Sequence, residues 1–247
     1  HLYQIRVLKK FRFAIRLGAD VFTSGKISEK NMKLSARTFK KFSELAVQNH
    51  IHEIRAVGTS ALREAKNSKA FVDLIYNKSG IKIEIIDGVA EARLIYQAIQ
   101  REIQLENHKA LLIDVGGGSV ELTFANQGMM TATQSFPFGT VRLLEKMRKL
   151  HLSEQELAPF IKTQMEPISH FCSSGESLQF AIGTGGNIET LGKLKPKLLK
   201  LNSPTWLTTA ELEVIMTKLQ SMNRKQRVTR LGLRPDRADV IIPAGLL

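Results

Sequence analysis

The sequence predicts an α/β protein whose two similar halves face a cleft. Helical patterns alternate with short apolar strands through the first half of the chain. The alternation starts again near His108, this time with a run of strands before the helices. We therefore expect one domain over residues 1–108 and a second over residues 109–247, and a chain of 247 residues can bury a core in each.

The elements of the first half follow from local signals. Phe11 and Phe13 begin an apolar alternation that predicts a strand within residues 5–18. Since His1 is not a natural start, we expect the protein to begin upstream of it. Ser28 is placed to cap a helix that ends near Asn49. The patterns then predict a strand at 54–57, helices over 60–65 and from 68 to Gly80, a strand at 81–86 and a helix over 90–106.

The second half opens with a predicted meander of three strands. The first strand ends in a glycine turn, the second in the turn 126–128, and the third runs to Phe136. Two capping boxes, Ser153 with Glu156 and Thr208 with Glu211, each predict the start of a long helix. Between them we expect a strand over 178–183, a second glycine turn and a helix. Residues 238–247 look helical, and we expect this end to be cut short too.

Cysteine content and hydropathy indicate the cellular compartment. Cys172 is the one cysteine, which excludes an internal disulfide and a four-cysteine metal site and favours a reducing compartment. There is no signal-peptide pattern, and no apolar run approaches the ~20 residues that span a bilayer. We expect a cytoplasmic protein with no membrane partner.

The chain carries a net charge of +13, because 36 Lys and Arg face 23 Asp and Glu. Such a charge predicts attraction to polyanions such as polyphosphate, phosphorylated nucleotides or nucleic acid. The basic residues are spread along the sequence without an aromatic RNA-binding signature, so we expect no specific nucleic-acid partner. Lys195 and Arg227 are among them, and we expect most of these basic residues on solvated helix and loop faces.

The segment ALLIDVGGGSVEL (110–122) is the most informative stretch for chemistry. Consecutive small residues between two strands expose backbone N–H groups in a tight turn, and such a turn cradles phosphate oxygens. Asp114 and Glu121 flank the turn and suit a hydrated Mg²⁺ ion that bridges to phosphate. A plain hairpin with a glycine-rich turn is the alternative explanation of the same residues.

Two better-known phosphate motifs are excluded at this position. The segment lacks the Gly-x-x-x-x-Gly-Lys-Ser/Thr pattern of a Walker-type loop. It does not fit Gly-x-Gly-x-x-Gly either, and a strand follows it where a dinucleotide fold needs a helix.

Six segments, in order along nearly the whole chain, resemble the exopolyphosphatase and guanosine pentaphosphate phosphohydrolase (Ppx/GppA) family. They are AVGTSALREAKN (56–67), EARLIY (91–96), ALLIDVGGGSVELTF (110–124), FPFGTVRL (136–143), AIGTGGN (181–187) and RADVI (237–241). The resemblance implies the actin-like, sugar-kinase and heat-shock-ATPase superfold, with two ribonuclease-H-like domains around a cleft. It also implies a first phosphate loop, which would lie before His1.

The resemblance also assigns roles to residues of this sequence. It implies that Glu91 is the general base for the attacking water, that Arg63 binds phosphate, and that Asp114 and Glu121 organise Mg²⁺, Glu121 with a catalytic role. Two glycine turns would bind the substrate. The scissile phosphate would lie at Gly116, Gly117, Gly118 and Ser119. The distal part of the phosphate chain, or a nucleotide, would lie at Gly183, Thr184, Gly185 and Gly186. Each residue also has an ordinary structural reading, Glu91 as a first-turn helix acid and Arg63 as an exposed helix arginine.

The expected function is therefore the release of terminal phosphate from inorganic polyphosphate or guanosine pentaphosphate with Mg²⁺, by a chain that could form a homodimer. An ATP-dependent kinase or ATPase of the same superfold and a non-catalytic polyanion sensor remain alternatives. The kinase reading is weakened because no sugar-kinase catalytic-Asp motif follows the glycine turn.

Overall fold

The structure, a computed structural model, describes residue 7 and residues 9–173, 177–203 and 205–247. It confirms the α/β class with two sheets: a parallel pair β1-β2 and a four-stranded sheet in the order β5-β4-β3-β6. The elements in chain order are α1 (Leu17–Ser24), α2 (Glu29–Gln48), β1 (Ala56–Gly58), α3 (Ser60–Glu64), α4 (Ser68–Ser79), β2 (Ile83–Ile85), α5 (Gly88–Ile99), β3 (Lys109–Val115), β4 (Val120–Asn126), β5 (Met129–Phe136), α6 (Thr140–Leu150), α7 (Glu154–Gln164), α8 (Glu166–Ser173), β6 (Phe180–Thr184), α9 (Gly186–Leu199), α10 (Thr209–Gln220), α11 (Arg224–Leu231), α12 (Pro235–Ala238) and α13 (Ile241–Leu246).

The predicted opening strand is wrong for the described residues. Residues 9–16 belong to no sheet, and α1 begins at Leu17. Phe11 and Phe13 instead pack edge-on against Phe42 of α2, with ring centroids 6.4 Å and 5.4 Å apart. The alternation therefore reflects packing of an extended segment on a helix. Ile5, Arg6 and Leu8 of the predicted strand lie outside the described residues.

Local capping signals predicted most helix starts correctly. The Ser28 side chain accepts a hydrogen bond from the Asn31 N–H and begins α2, and both predicted capping boxes form. Helix α5 starts two residues earlier than predicted, because the Asp87 carboxylate accepts the Ala90 N–H at 2.7 Å. It also ends earlier, at Ile99.

Several helical features differ from the prediction. Helices α6, α11 and α12 were not predicted, and α6 follows Gly139 without a side-chain cap. The long helix predicted after Ser153 is two helices, α7 and α8. Helix α7 ends at Gln164, and Pro167, the second residue of α8, has no N–H to donate into the preceding turn.

Two of the basic residues expected in solvent are buried instead. Arg227 is 0% exposed, and its guanidinium donates to both Glu154 carboxylate oxygens and to the Leu219 carbonyl. Lys195 donates to Glu211 at 2.8 Å and to the Trp206 carbonyl at 2.7 Å. Burial is tolerated because acids and carbonyls satisfy these cations. They lie among the helices α6, α7 and α9–α13, which enclose the largest apolar cluster of the described chain.

Strand β3 occupies an inner position of the four-stranded sheet and aligns residues of three strands at one level. Asp114, near its end, is paired with Glu121 on antiparallel β4 and with Thr184 on parallel β6. None of the helices within the described ranges combines the length and apolarity that a bilayer span needs. The division of the chain near residue 108 stays a prediction.

Candidate active site

Three carboxylates from three different elements meet at the end of β3. The register places Asp114 opposite Glu121 across the β3-β4 pair. Glu91 comes from the first turn of α5, which packs against β3, β4 and β5. One oxygen from each of the three carboxylates lies within 4.8 Å of the others. The structure therefore brings together the predicted general base and both predicted metal ligands.

Within the described residues, two buried oxygens of this cluster accept no hydrogen bond, although Arg63 Nη1 lies 3.5 Å from one of them. Glu121 is 2% exposed, and its Oε1 accepts from the Ser135 hydroxyl at 2.7 Å. Asp114 Oδ1 accepts from the Thr184 hydroxyl at 2.5 Å. Within the described parts of the chain, Glu91 Oε2 and Glu121 Oε2 are buried and accept no hydrogen bond. Because buried polar atoms are normally satisfied, these two oxygens point to a missing partner.

The donor set fits a hard divalent cation. Carboxylate oxygens are the ligands that Mg²⁺ takes in proteins, usually one or two of them together with water and substrate phosphate. A cation would supply the partner that the two buried oxygens lack. It would also relieve the repulsion among three carboxylates held this close.

Burial is the largest influence on the protonation of the cluster. Burial first, and then the neighbouring charge of Glu121, raise the pKa of Glu91 to about 7. Arg63 opposes both effects. Burial also raises the pKa of Asp114 and of Glu121, although hydrogen bonds from Thr184 to Asp114 and from Ser119 and Ser135 to Glu121 offset part of the rise. Carboxylates with raised pKa values in a polar cluster are typical of catalytic sites.

Arg63 lies in α3 and faces the cluster. Its Nη1 donates to the Ile86 carbonyl at 2.7 Å and lies 3.5 Å from Glu91 Oε2. The backbone bond fixes the guanidinium beside the carboxylates and leaves its other N–H groups for a further acceptor. The predicted phosphate-binding arginine is thus next to the predicted base.

The first glycine turn connects β3 to β4 and is closed by its own backbone. The Gly116 N–H donates to the Ser119 carbonyl at 3.0 Å. The turn also caps α6, since the Thr140 N–H donates to the Gly116 carbonyl and the Val141 N–H to the Gly117 carbonyl. Within the described residues, no acceptor takes the N–H groups of Gly117 and Gly118. Two adjacent unpaired amides match the predicted phosphate cradle.

The turn depends on close backbone contact with Gly139. A Cβ on Gly139 would collide with the backbone of Gly117 and Gly118. Only glycine fits there, because any side chain would separate α6 from the turn that caps it. Gly139 belongs to the FPFGTVRL segment, yet no sequence signal indicated this role.

The second glycine turn joins β6 to α9 beside Asp114. Gly185 has φ +89°, and a Cβ there would lie 3.2 Å from Asp114 Oδ1. Arg237 packs against Gly186 at the start of α9 and donates to Asn187 Oδ1 at 2.5 Å. Burial lowers the pKa of Arg237. This guanidinium lies beside the N-terminus of a 14-residue helix, where anions are favoured.

All the predicted site residues therefore lie around the end of β3. Sequence reasoning missed the roles of Ser135, Gly139, Arg142 and Arg237, which hold carboxylates, turns or helix starts in place. Gly139, Arg142 and Arg237 lie in the segments FPFGTVRL and RADVI that carry the family resemblance. Membership of those segments is the one signal that could have pointed to them.

Comparisons with known proteins identify similar chains. A guanosine-5'-triphosphate,3'-diphosphate pyrophosphatase of Photobacterium profundum is 26% identical over 247 residues, which cover 98% of this chain and 48% of that protein. The chain thus spans about half the length of this curated relative.

Solved structures share the fold. A crystal structure of an exopolyphosphatase from Cytophaga hutchinsonii has a TM-score of 0.83 and 26% identity, with 94% of this chain and 77% of that chain covered. The Aquifex aeolicus member of the Ppx/GppA family has a TM-score of 0.73 and 24% identity, with 93% and 76% covered. The sequence model of the Ppx/GppA phosphatase family matches residues 1–247. The chain belongs to the Ppx/GppA phosphatase family.

Proposed function

We propose that the protein to which this chain belongs is a hydrolase that removes the terminal phosphate from inorganic polyphosphate, guanosine pentaphosphate or both. The observation that carries the proposal is the cluster of Glu91, Asp114 and Glu121, in which two buried oxygens accept no hydrogen bond from the described residues. The names of an exopolyphosphatase and a guanosine-5'-triphosphate,3'-diphosphate pyrophosphatase among the similar proteins support the substrate class.

Glu91 serves as the general base. Its pKa of about 7 lies near neutral pH, where a carboxylate both exists in its ionised form and accepts a proton readily. Glu91 takes a proton from water as the water oxygen forms a bond to the terminal phosphorus. The bridging P–O bond breaks, and the shortened chain leaves with the electron pair as a phosphate oxyanion.

Asp114 and Glu121 would hold Mg²⁺, and Ser135 and Thr184 orient these two carboxylates by hydrogen bonds. The bound ion would neutralise phosphate charge and hold the terminal phosphate for in-line attack.

Backbone amides and guanidinium groups bind the substrate. The free N–H groups of Gly117 and Gly118 receive the terminal phosphate, and Arg63 stabilises the charge that builds up on its oxygens. The turn 183–186, together with Arg237, binds the adjoining phosphates of a chain or nucleotide. A net charge of +13 favours the approach of such anions. The single cysteine fits a reducing, cytoplasmic location for this work.

The proposal is tested by phosphate release from polyphosphate, guanosine pentaphosphate and ATP, measured side by side with and without Mg²⁺. We expect Mg²⁺-dependent release from the first or second substrate, and a loss of roughly 10²- to 10⁴-fold in Glu91→Gln with substrate binding nearly unchanged. Preferential release from ATP would favour an ATPase, whereas binding without release would favour a sensor. A Glu91→Gln variant that keeps about half of the wild-type turnover would show that Glu91 is not the base.

A further inference from the structure

Arg142, in the first turn of α6, joins three parts of the molecule around the proposed site. Its Nε donates to the Gly118 carbonyl at 2.8 Å. Its Nη2 donates to Glu64 Oε1 at 2.5 Å. The guanidinium carbon also lies 4.1 Å from the ring centroid of Phe22 in α1. One side chain therefore contacts the glycine turn, helix α3 and helix α1.

The same three elements also meet directly at Gly118. A Cβ on Gly118 would collide with the Ser60 hydroxyl and with the Phe22 ring. Ser60 is the first residue of α3, and Arg63 lies one turn later. The turn with the free amides thus rests on the helix that carries Arg63, and Arg142 bridges the far end of that helix through Glu64.

The chemistry of the bridge requires a guanidinium. Its planar fork donates from Nε and Nη2 in two fixed directions, and its flat face stacks on an aromatic ring. A lysine ammonium carries the same charge but has no such fork. The Arg142 side chain is 22% exposed, whereas that of Glu64 is 41% exposed.

We propose that Arg142 is a positioning residue that holds the glycine turn and α3 at the separation needed for Gly117, Gly118 and Arg63 to bind one phosphate together. This inference rests on the proposed function, since it assigns those groups to a common phosphate. Within the described residues, Arg142 donates no hydrogen bond to the carboxylate cluster.

The kinetic test compares Arg142→Gln, Arg142→Lys and Glu64→Gln with the wild-type protein. A displacement of about 1 Å between reacting groups costs on the order of 10²-fold in rate. We therefore expect kcat for phosphate release to fall roughly 10- to 100-fold in Arg142→Gln, with KM changed by less than about threefold. Arg142→Lys should recover only part of the loss. The double variant of Arg142→Gln and Glu64→Gln should be no worse than the more impaired single variant, because both break one bridge.

Arg148→Gln is the matched control, because Arg148 lies in the same helix, is 58% exposed and pairs with Glu145 one turn away. We expect it to keep wild-type kcat and KM. Additive losses in the double variant, or a full recovery by Arg142→Lys, would overturn the proposal.

Hydrogen exchange separates this inference from the proposed function. In the absence of substrate, Arg142→Gln and Glu64→Gln should each speed amide exchange in both α3 and the start of α6, whereas Arg148→Gln should not. If the wild-type protein releases no phosphate but exchange responds in this way, the proposed function fails and the bridge between α3 and α6 stands. Unchanged exchange in α3 would refute the bridge whatever the activity.

Discussion

Glu91 Oε2 lies 3.5 Å from Arg63 Nη1, yet the pKa of Glu91 is raised to about 7. An arginine at this distance ordinarily lowers the pKa of a carboxyl group. Here burial and the charge of Glu121 outweigh the arginine. Near neutral pH the Glu91 carboxyl is therefore divided between its two protonation states, and small changes around it shift that balance.

The first prediction concerns the stability of the Mg²⁺-free protein. The folded pKa of Glu91, about 7, exceeds the ordinary value of 4.5, so the folded state holds this proton more strongly than the unfolded state does. The stabilising contribution of protonated Glu91 is therefore complete below about pH 4.5 and is lost as the pH rises through about 7. Glu91→Gln cannot ionise. It should raise the free energy of unfolding by on the order of 2 to 3 kcal/mol at pH 8, and by little at pH 4.5.

Urea unfolding in the presence of a chelator at the two pH values measures this difference. Glu29→Gln is the matched control, since Glu29 is also a first-turn glutamate but has an 88% exposed side chain. It should show the same small effect at both pH values. An effect of Glu91→Gln that does not depend on pH would contradict the raised pKa.

The second prediction concerns the pH dependence of activity. Arg63 lowers the pKa of Glu91, so Arg63→Gln should raise that pKa and move the acidic limb of kcat/KM to higher pH. The rate at the plateau should fall as well, because a phosphate ligand is lost. A comparison of the pH–rate profiles of Arg63→Gln and Arg148→Gln measures both changes. If the plateau rate falls but the acidic limb does not move, Arg63 does not influence the pKa of Glu91.

The third prediction concerns Mg²⁺. Glu121→Gln removes the charge of a carboxylate whose Oε2 is buried without a partner, so it should lower phosphate release and raise the Mg²⁺ concentration needed for half-maximal activity. Higher Mg²⁺ should restore part of the loss. Titration of Mg²⁺ in Glu121→Gln, with Glu29→Gln alongside, measures the shift. If the half-maximal concentration does not move, Glu121 is not a metal ligand.

The fourth prediction concerns the packing of α5. A Cβ on Gly88 would collide with Ser135, with the Ser135 hydroxyl oxygen only 2.7 Å away. Gly88→Ala should therefore displace the helix start that carries Glu91 and lower kcat by about tenfold or more. Combining Gly88→Ala with Ser135→Gly should restore only part of the thermal stability, because it restores the space but removes the hydrogen bond from Ser135 to Glu121. A Gly88→Ala variant with wild-type kcat and melting temperature would show that the contact is not needed.

The fifth prediction concerns binding of the polyanion. With a net charge of +13, long polyphosphate should bind more tightly than short oligophosphates, and its affinity should fall steeply with ionic strength. Calorimetric titration of Glu91→Gln with chains of different length, at two salt concentrations, measures the affinities without turnover. Affinities independent of both chain length and salt would leave the basic surface without this role.

Much of the fold was predictable because its signals are local. The Ser28 cap, the glycine at position 80 and the capping boxes act within four residues, and the sequence displays them directly. Helix α6 was missed because its first amides are capped by carbonyls of a turn more than 20 residues upstream, not by a side chain.

The site likewise combines features that local sequence signals predict with features that depend on distant residues. Its carboxylates could be named from the segments that contain them, whereas their surroundings depend on register and packing. The bonds from Ser135 to Glu121 and from Thr184 to Asp114 arise only when four strands align. The bridge from Arg142 to Glu64 joins residues 78 positions apart. Burial of Arg227 depends likewise on Glu154, 73 residues away.

In the first glycine turn, the carbonyl oxygens and the amides differ in their hydrogen bonding, because the carbonyls cap α6. The Gly116, Gly117 and Gly118 carbonyls are occupied by α6, including the Arg142 guanidinium, while the Gly117 and Gly118 amides are free. Within the described residues, these carbonyls already accept hydrogen bonds, so the backbone of the turn offers its amides to an anion. In the mechanism proposed above, the turn would hold the phosphate while Asp114 and Glu121 would hold the cation.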